Sequence, residues 1–270
     1  MNLETLSIAV ADGIAAIELN RPDKANAINQ QMWLDIRSAF RRVDEIAEAR
    51  VVVISGRGTH FASGIDLAML AGLSRQTRDE CEGRTRENLR RTILDLQDTL
   101  NSIERCRKPV IAAVHGACIG GGVDLISCCD MRYASADAYF SVKEIDVGMV
   151  ADLGTLQRLP KLVPDGIVRE LAYTGRRLDA EEARQIGLVN RIFESPDDLR
   201  RGVAEIAAAI AAKSPLSVRG IKEMLVYSRD HSVADGLNYI AAWNAAMLVS
   251  EDLSEAMIAA REKRPPKFRD

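Results

Sequence analysis

VHGACIGGGVDLISCCDMRYASADAYFSVKEIDVGMVADLGT, residues 114–155, is the stretch on which the reading of this chain turns. It follows an apolar run from Val110 to Val114, breaks at Gly116, and reaches Gly120-Gly121-Gly122 before a second apolar run able to start a helix. Glycines at the mouth of a helix let the main chain approach a ligand closely, and the free N–H groups of the first turn point at any negative charge in front of them. Asp124 lies two residues past Gly122, Glu144 follows at 144 − 124 = 20 residues, and Asp152 comes 8 after Glu144. Three carboxylates therefore surround one cluster of N–H donors.

Outward from that stretch, the amino-terminal side alternates strand, helix and strand. Ser7–Val10 and Ile14–Leu19 flank Ala11-Asp12-Gly13, a hairpin signal, because Asp-Gly accepts the positive φ of a tight turn. Met32, Ile36, Phe40 and Val43 recur at helical spacing, Arg50 closes that helix, and Val51–Ser55 reads as a buried strand. Such alternation predicts a mainly parallel α/β sheet with crossovers. The charged segment Ser74–Arg91 reads as a solvated face, followed by a helix striped with Leu89, Ile93, Leu96, Leu100 and Ile103 and ended by Pro109. Beyond Pro196 the chain reads as helical almost throughout, so we expect a sheet-and-helix core over residues 1–195 and a helical region over 196–270.

Composition bounds the function. With 47% hydrophobic but only 4% aromatic residues, the core must be closely packed aliphatic side chains. A net charge of −3 from 36 basic and 39 acidic residues offers nothing broad to nucleic acid or an anionic membrane. Five cysteines, odd in number and without a CxxC pair, fit reduced thiols, and His60, His115 and His231 form no HxxxH or HExxH, so no metal is expected. Neither a signal peptide nor a long apolar span is evident, which predicts a cytoplasmic protein with no membrane partner.

The glycines serve either as a tight packing point or as a donor site. Neither GxxxxGK[ST] nor GxGxxG is present, so phosphate-cradle readings lose support and an oxyanion hole remains. Stabilising an enolate takes two independent main-chain donors, and the turn Ser63-Gly64-Ile65 is the second candidate. Asp124, Glu144 and Asp152 all sit among apolar and small residues, where a carboxylate needs a reason, and a pair of them can supply both general base and general acid. A serine triad from Ser127 and His115 lacks the GxSxG elbow.

Phe61-Ala62-Ser63-Gly64-Ile65-Asp66-Leu67, Lys108-Pro109-Val110-Ile111-Ala112-Ala113-Val114-His115-Gly116, Gly120-Gly121-Gly122-Val123-Asp124-Leu125 and Thr155-Leu156-Gln157-Arg158-Leu159-Pro160 together resemble the crotonase (enoyl-CoA hydratase/isomerase) superfamily, essentially end to end. The resemblance implies a fold of stacked ββα units with a carboxy-terminal helical region for oligomerisation, a homotrimer or hexamer, an acyl-CoA thioester substrate, and no cofactor beyond the coenzyme A of that substrate. It puts the oxyanion-hole N–H groups on Ile65 and Gly121. It puts coenzyme A contacts on Lys24, Ala25, Asn26 and Ala27 and on Ser63, Gly64, Ile65, Asp66 and Leu67.

The hydratases of this family carry Glu at the positions of Asp124 and Glu144 and Pro-Gly where this chain has Ala151-Asp152. With a third carboxylate in the acyl pocket, the chain resembles the Δ3,5-Δ2,4-dienoyl-CoA isomerase branch, as do Val142–Gly148 and Tyr227–Val233. The implied activity is the shift of 3,5-dienoyl-CoA to 2,4-dienoyl-CoA in fatty acid beta-oxidation, with Asp152 acting at C2, Glu144 at C6 and Asp124 as a third, electrostatic group. The alternatives are a 2-enoyl-CoA hydratase and a non-catalytic acyl-CoA-binding or RNA-binding relative. One departure is Ala260 in the last helix, where an aromatic residue is usual.

Overall fold

The computed structural model describes residues 3–270. The chain runs through β1 (Leu6–Ala11), β2 (Ile14–Leu19), α1 (Gln30–Glu45), β3 (Val51–Gly56), α2 (Leu67–Gln76), α3 (Glu82–Arg105), β4 (Val110–Val114), β5 (Ala117–Ile119), α4 (Gly121–Ser127), β6 (Met131–Ser135) and β7 (Tyr139–Ser141). It continues through α5 (Thr155–Arg158), α6 (Asp165–Thr174), β8 (Leu178–Asp179), α7 (Ala180–Gln185), β9 (Arg191–Phe193), α8 (Pro196–Ala211), α9 (Pro215–Arg229), α10 (Val233–Met247) and α11 (Glu251–Glu262). A six-stranded sheet has the order β1-β2-β3-β4-β6-β9, and a three-stranded sheet the order β5-β7-β8. Among the described residues, only β1 with β2 and β7 with β8 pair antiparallel.

The first hairpin is the expected one. Ala11 pairs with Ile14, leaving Asp12 and Gly13 as a two-residue turn with φ of 51° and 79°. β4 sits at the centre of the larger sheet, and all five of its residues are buried because helices cover both faces. Successive side chains of a strand point to opposite sides, so Val110, Ala112 and Val114 join the core with Trp33, Ile36 and Phe40 of α1 and Leu100 and Ile103 of α3. Ile111 and Ala113 meet Leu199, Val203, Ala207 and Ala211 on the other side. Those last four recur every fourth residue along α8, which lays its apolar stripe on the sheet. The division expected at residue 195 is thus displaced: α8 belongs to the core, and the helices that extend away from the sheet begin with α9.

One further expectation shifts: the helix α1 stops at Glu45 rather than at Arg50. The charged segment exposes its Arg, Asp and Glu side chains as expected, and α3 starts inside it at Glu82. At Gly116 the chain leaves the large sheet for the small one with φ +56°. A Cβ at that position would lie 2.1 Å from the Thr59 carbonyl, so only glycine permits the crossing that delivers Gly120 to the site.

Candidate active site

Two main-chain donors converge where the sheets meet. Gly120 adopts φ 49°, donates its N–H to the Ser141 carbonyl at 2.9 Å, and turns the chain so that Gly121 opens α4. The turn Ser63-Gly64-Ile65 is bound to the loop before α1: Ser63 N–H donates to Ala25 O at 3.0 Å, Ile28 N–H to Gly64 O at 2.8 Å, and Asp66 N–H to Ile28 O at 3.0 Å. Among the described residues, neither the Ile65 nor the Gly121 N–H has a hydrogen-bond acceptor. A Cβ built on Gly121 would lie 3.7 Å from the Ile65 nitrogen, so the two unused donors border the same small volume. Two N–H groups with nothing to bind, facing one space, are what an enolate oxygen requires.

The three carboxylates reach this space differently. Asp124, on α4, is 2% exposed, and its Oδ1 accepts both the Thr155 N–H at 2.8 Å and the Thr155 hydroxyl at 2.6 Å. Burial pushes its pKa up to about 6, with the Asp152 charge adding to the rise and the Thr155 bonds opposing it. Glu144 begins the 3-10 turn Glu144–Val147, and its Oε1 would lie 3.2 Å from a Cβ on Gly120. Its Oε2 is buried and has no partner among the described residues, an unusual state for a carboxylate oxygen. Burial first, and then the charges of Asp124 and Asp152, together raise Glu144 to about 7. Asp152 is half-buried on the segment before α5, and burial raises it as well. Buried carboxylates whose pKa values are lifted by burial and by a neighbour's charge are suited to proton transfer.

The residues expected to contact coenzyme A are drawn together, with one correction. Ala25 and Asn26 adopt φ of 49° and 53°, and this loop abuts the Ser63–Asp66 turn; Lys24 and Leu67 are exposed, while Ala27 is half-buried. The Asn26 side chain, however, is fully buried: it donates to Arg57 O at 2.9 Å and His60 O at 2.8 Å and accepts the Arg21 N–H at 2.9 Å. Its amide is spent holding the loop in a left-handed shape, so it does not face a ligand. Asp66 caps α2 by accepting the Ala68 N–H and pairs with Arg21 at 3.1 Å. Ser127 and His115 are not partners: the hydroxyl donates to Asp124 O at 2.6 Å, and the imidazole Nε2 meets Gly58 O at 2.8 Å.

Sequence reasoning missed Thr155 as the anchor of Asp124. The available signal was its place directly after Gly154 at the head of a short helix, where N–H groups lack partners. It also missed Trp33, which is 2% exposed, has an unpartnered indole N–H, and would touch a Cβ on Gly121 at 3.7 Å. Nothing in the helical spacing separates Trp33 from an ordinary core residue.

Comparison with known proteins identifies the family. The family profile described as enoyl-CoA hydratase/isomerase matches residues 9–270. The chain is 50% identical over 251 residues to the peroxisomal Delta(3,5)-Delta(2,4)-dienoyl-CoA isomerase of Arabidopsis thaliana, covering 93% of this chain and 90% of the plant protein. It is 48% identical over 252 residues to the mitochondrial Delta(3,5)-Delta(2,4)-dienoyl-CoA isomerase of Homo sapiens, covering 93% and 77%. Among solved structures, the enoyl-CoA hydratase of Bacillus anthracis matches with a TM-score of 0.89 at 30% identity, over 98% of this chain and 99% of that one. The chain belongs to the enoyl-CoA hydratase/isomerase family and has its crotonase fold.

Proposed function

We propose that this protein is a dienoyl-CoA isomerase that converts a 3,5-dienoyl-CoA to the 2,4-dienoyl-CoA. The observation that carries the reading is Glu144 with a buried, unpartnered Oε2, set against Gly120 beside two unused main-chain donors and within the electrostatic reach of Asp152. The C2 proton of a 3,5-dienoyl thioester is acidified by both the carbonyl and the diene. Asp152 takes that proton as an ionised base, and the electrons spread as a trienolate whose oxygen accepts the N–H groups of Ile65 and Gly121. Glu144, at about 7, keeps its proton on a large share of molecules at neutral pH and delivers it to C6. Both double bonds move, one proton is taken and one is given. Asp124, with Oδ1 committed to Thr155, acts through its charge by holding Glu144 protonated.

A cavity of about 350 Å³ beside Glu144, lined by Val142, Met149, Ala151, Leu156 and Val168, suits an apolar acyl chain. The exposed Lys24 and the Ser63–Leu67 turn are the contacts we assign to coenzyme A, and the reaction as written calls on no further cofactor or metal. We place the step in fatty acid beta-oxidation. We also expect a homotrimer or hexamer, since Leu225, Leu237, Val249 and Met257 on or beside α9–α11 are 68%, 63%, 94% and 67% exposed. Among the described residues no helix is long and apolar enough to cross a membrane. For location we retain a reducing compartment, consistent with five free cysteines. The narrower cytoplasmic expectation gains no support from relatives named for the peroxisome and the mitochondrion.

The test is an ultraviolet assay of the purified protein with 3,5-octadienoyl-CoA and, in parallel, crotonyl-CoA. The account expects rapid appearance of the 2,4-dienoyl chromophore and slow hydration of crotonyl-CoA. Efficient hydration with no diene shift would establish the hydratase reading instead.

A further inference from the structure

The segment that carries Asp152 is poorly tied down by its own backbone. Among the described residues, the main chain of residues 150–153 makes no backbone–backbone hydrogen bond, and the segment has no regular secondary structure. Among the described residues, the hydrogen bond that ties its backbone to another element comes from α3: Gln97 Nε2 donates to the Asp152 carbonyl at 2.6 Å, while the Asp152 N–H turns to its own carboxylate. Four and seven residues further along α3, on the same helical face, Asn101 and Glu104 hold the far end of the segment. Asn101 Oδ1 accepts from Arg158 at 2.7 Å, and Glu104 accepts from the Arg158 Nε at 3.3 Å, with side chains only 12% and 16% exposed. One stripe of α3 therefore brackets residues 152–158, which include both Asp152 and Thr155. Behind the segment lies a cavity of about 370 Å³, lined in part by Gln97, Asn101, Gly154 and Arg158, into which the segment can shift when the donor is lost.

We infer that Gln97 is a positioning residue for Asp152, fixing through a single amide-to-carbonyl bond the segment from which the carboxylate reaches C2. The inference rests on the proposed isomerase reading. Ala151 and Leu153 anchor the segment in the core on either side, but the direction of Asp152 between them is set by the bond to its carbonyl, and a displacement of about 1 Å at a proton-transfer group can cost on the order of 10²-fold in rate. Gln97 sits on a long helix packed by Leu100 and Ile103 into the core, so its amide is a rigid reference point.

The test compares the unmutated protein, Gln97→Met, Asp152→Asn and the double variant, together with Gln97→Lys, which restores a donor at similar reach. Gln97→Met should lower kcat for the dienoyl substrate roughly 10- to 100-fold with KM little changed. It should cost little more in the Asp152→Asn background, and Gln97→Lys should recover most of the loss. Hydrogen exchange should show faster amides at Thr155, Gln157 and Arg158, the hydrogen-bonded end of the segment, in Gln97→Met, with β4 and α4 unchanged. An equal loss in both backgrounds, or near-normal kcat in Gln97→Met, overturns the inference. Should Gln97→Met fail to fold, Gln97→Glu replaces it, keeping the length while setting an oxygen against the carbonyl. If the unmutated protein does not isomerise a dienoyl-CoA, the functional reading fails on its own, and unchanged exchange at Thr155, Gln157 and Arg158 would then overturn the positioning claim separately.

Discussion

Replacing Asp124 with asparagine should make the protein more stable at alkaline pH while making it a poorer enzyme. Asparagine keeps the shape and an Oδ1 able to accept both Thr155 donors, and it removes only the charge. Burial raises the Asp124 carboxyl from its ordinary 3.8 to about 6, so at about 1.36 kcal/mol per pH unit the ionised form costs the fold about 3 kcal/mol. The sign follows from proton counting. Between about pH 4 and 6 the folded state holds a proton that the unfolded chain has lost, so stability falls as pH rises and the full cost is present above about pH 6. Urea unfolding of both proteins at fixed concentration should thus coincide near pH 4 and separate by up to about 3 kcal/mol in favour of Asp124→Asn near pH 8. The same variant loses a negative charge that holds Glu144 up, so the alkaline limb of its kcat profile, set by Glu144 near 7, should move to lower pH. A stability difference that does not vary with pH, or one that favours the unmutated protein as pH rises, would show that the Asp124 carboxylate carries no burial cost in the folded state.

The oxyanion donors can be tested without breaking the fold. A Cβ on Gly121 would meet Ile28, Ile65 N and Trp33 at 3.5, 3.7 and 3.7 Å, ordinary contacts, so Gly121→Ala should fold normally. The methyl would still occupy the oxygen's space, and kcat should fall by about 10²-fold or more; near-normal turnover would dismiss the assignment. For assembly, light scattering at micromolar concentration should give a trimer or hexamer, and a monomer would leave the exposed apolar residues of α9–α11 unexplained.

What could be read from the sequence was what repeats or punctuates locally. Val110–Val114 announced a strand buried on both faces, Asp12-Gly13 a hairpin, and the three glycines with Asp124 the donor cluster. The short strands β7, β8 and β9, of three, two and three residues, offer too few side chains for an alternation to show. The place of α8 on the sheet is a tertiary fact, since its stripe would equally suit a partner helix. In the site, the residues that bear the chemistry stood out because carboxylates among apolar neighbours are costly. The groups that hold them did not. Thr155 meets Asp124 across 31 residues and Gln97 meets Asp152 across 55, and neither pairing leaves a pattern within one element. Asn26 misled for the converse reason: a polar residue in a loop reads as a contact for a ligand, whereas its amide is turned inward to fix the loop.

The central claim, that Asp152 removes the C2 proton, is tested most directly by single-turnover and steady-state measurement of Asp152→Asn with 3,5-octadienoyl-CoA. The amide keeps the side chain's size and the carbonyl that Gln97 holds, and only the ability to take a proton is lost. The account predicts a fall in kcat of roughly 10²- to 10⁴-fold with acyl-CoA affinity little changed, and no exchange of the C2 hydrogen with solvent. Glu144→Gln, by contrast, should permit C2 exchange while failing to deliver the proton to C6. Near-normal isomerisation by Asp152→Asn, or C2 exchange that persists in it, would contradict the claim.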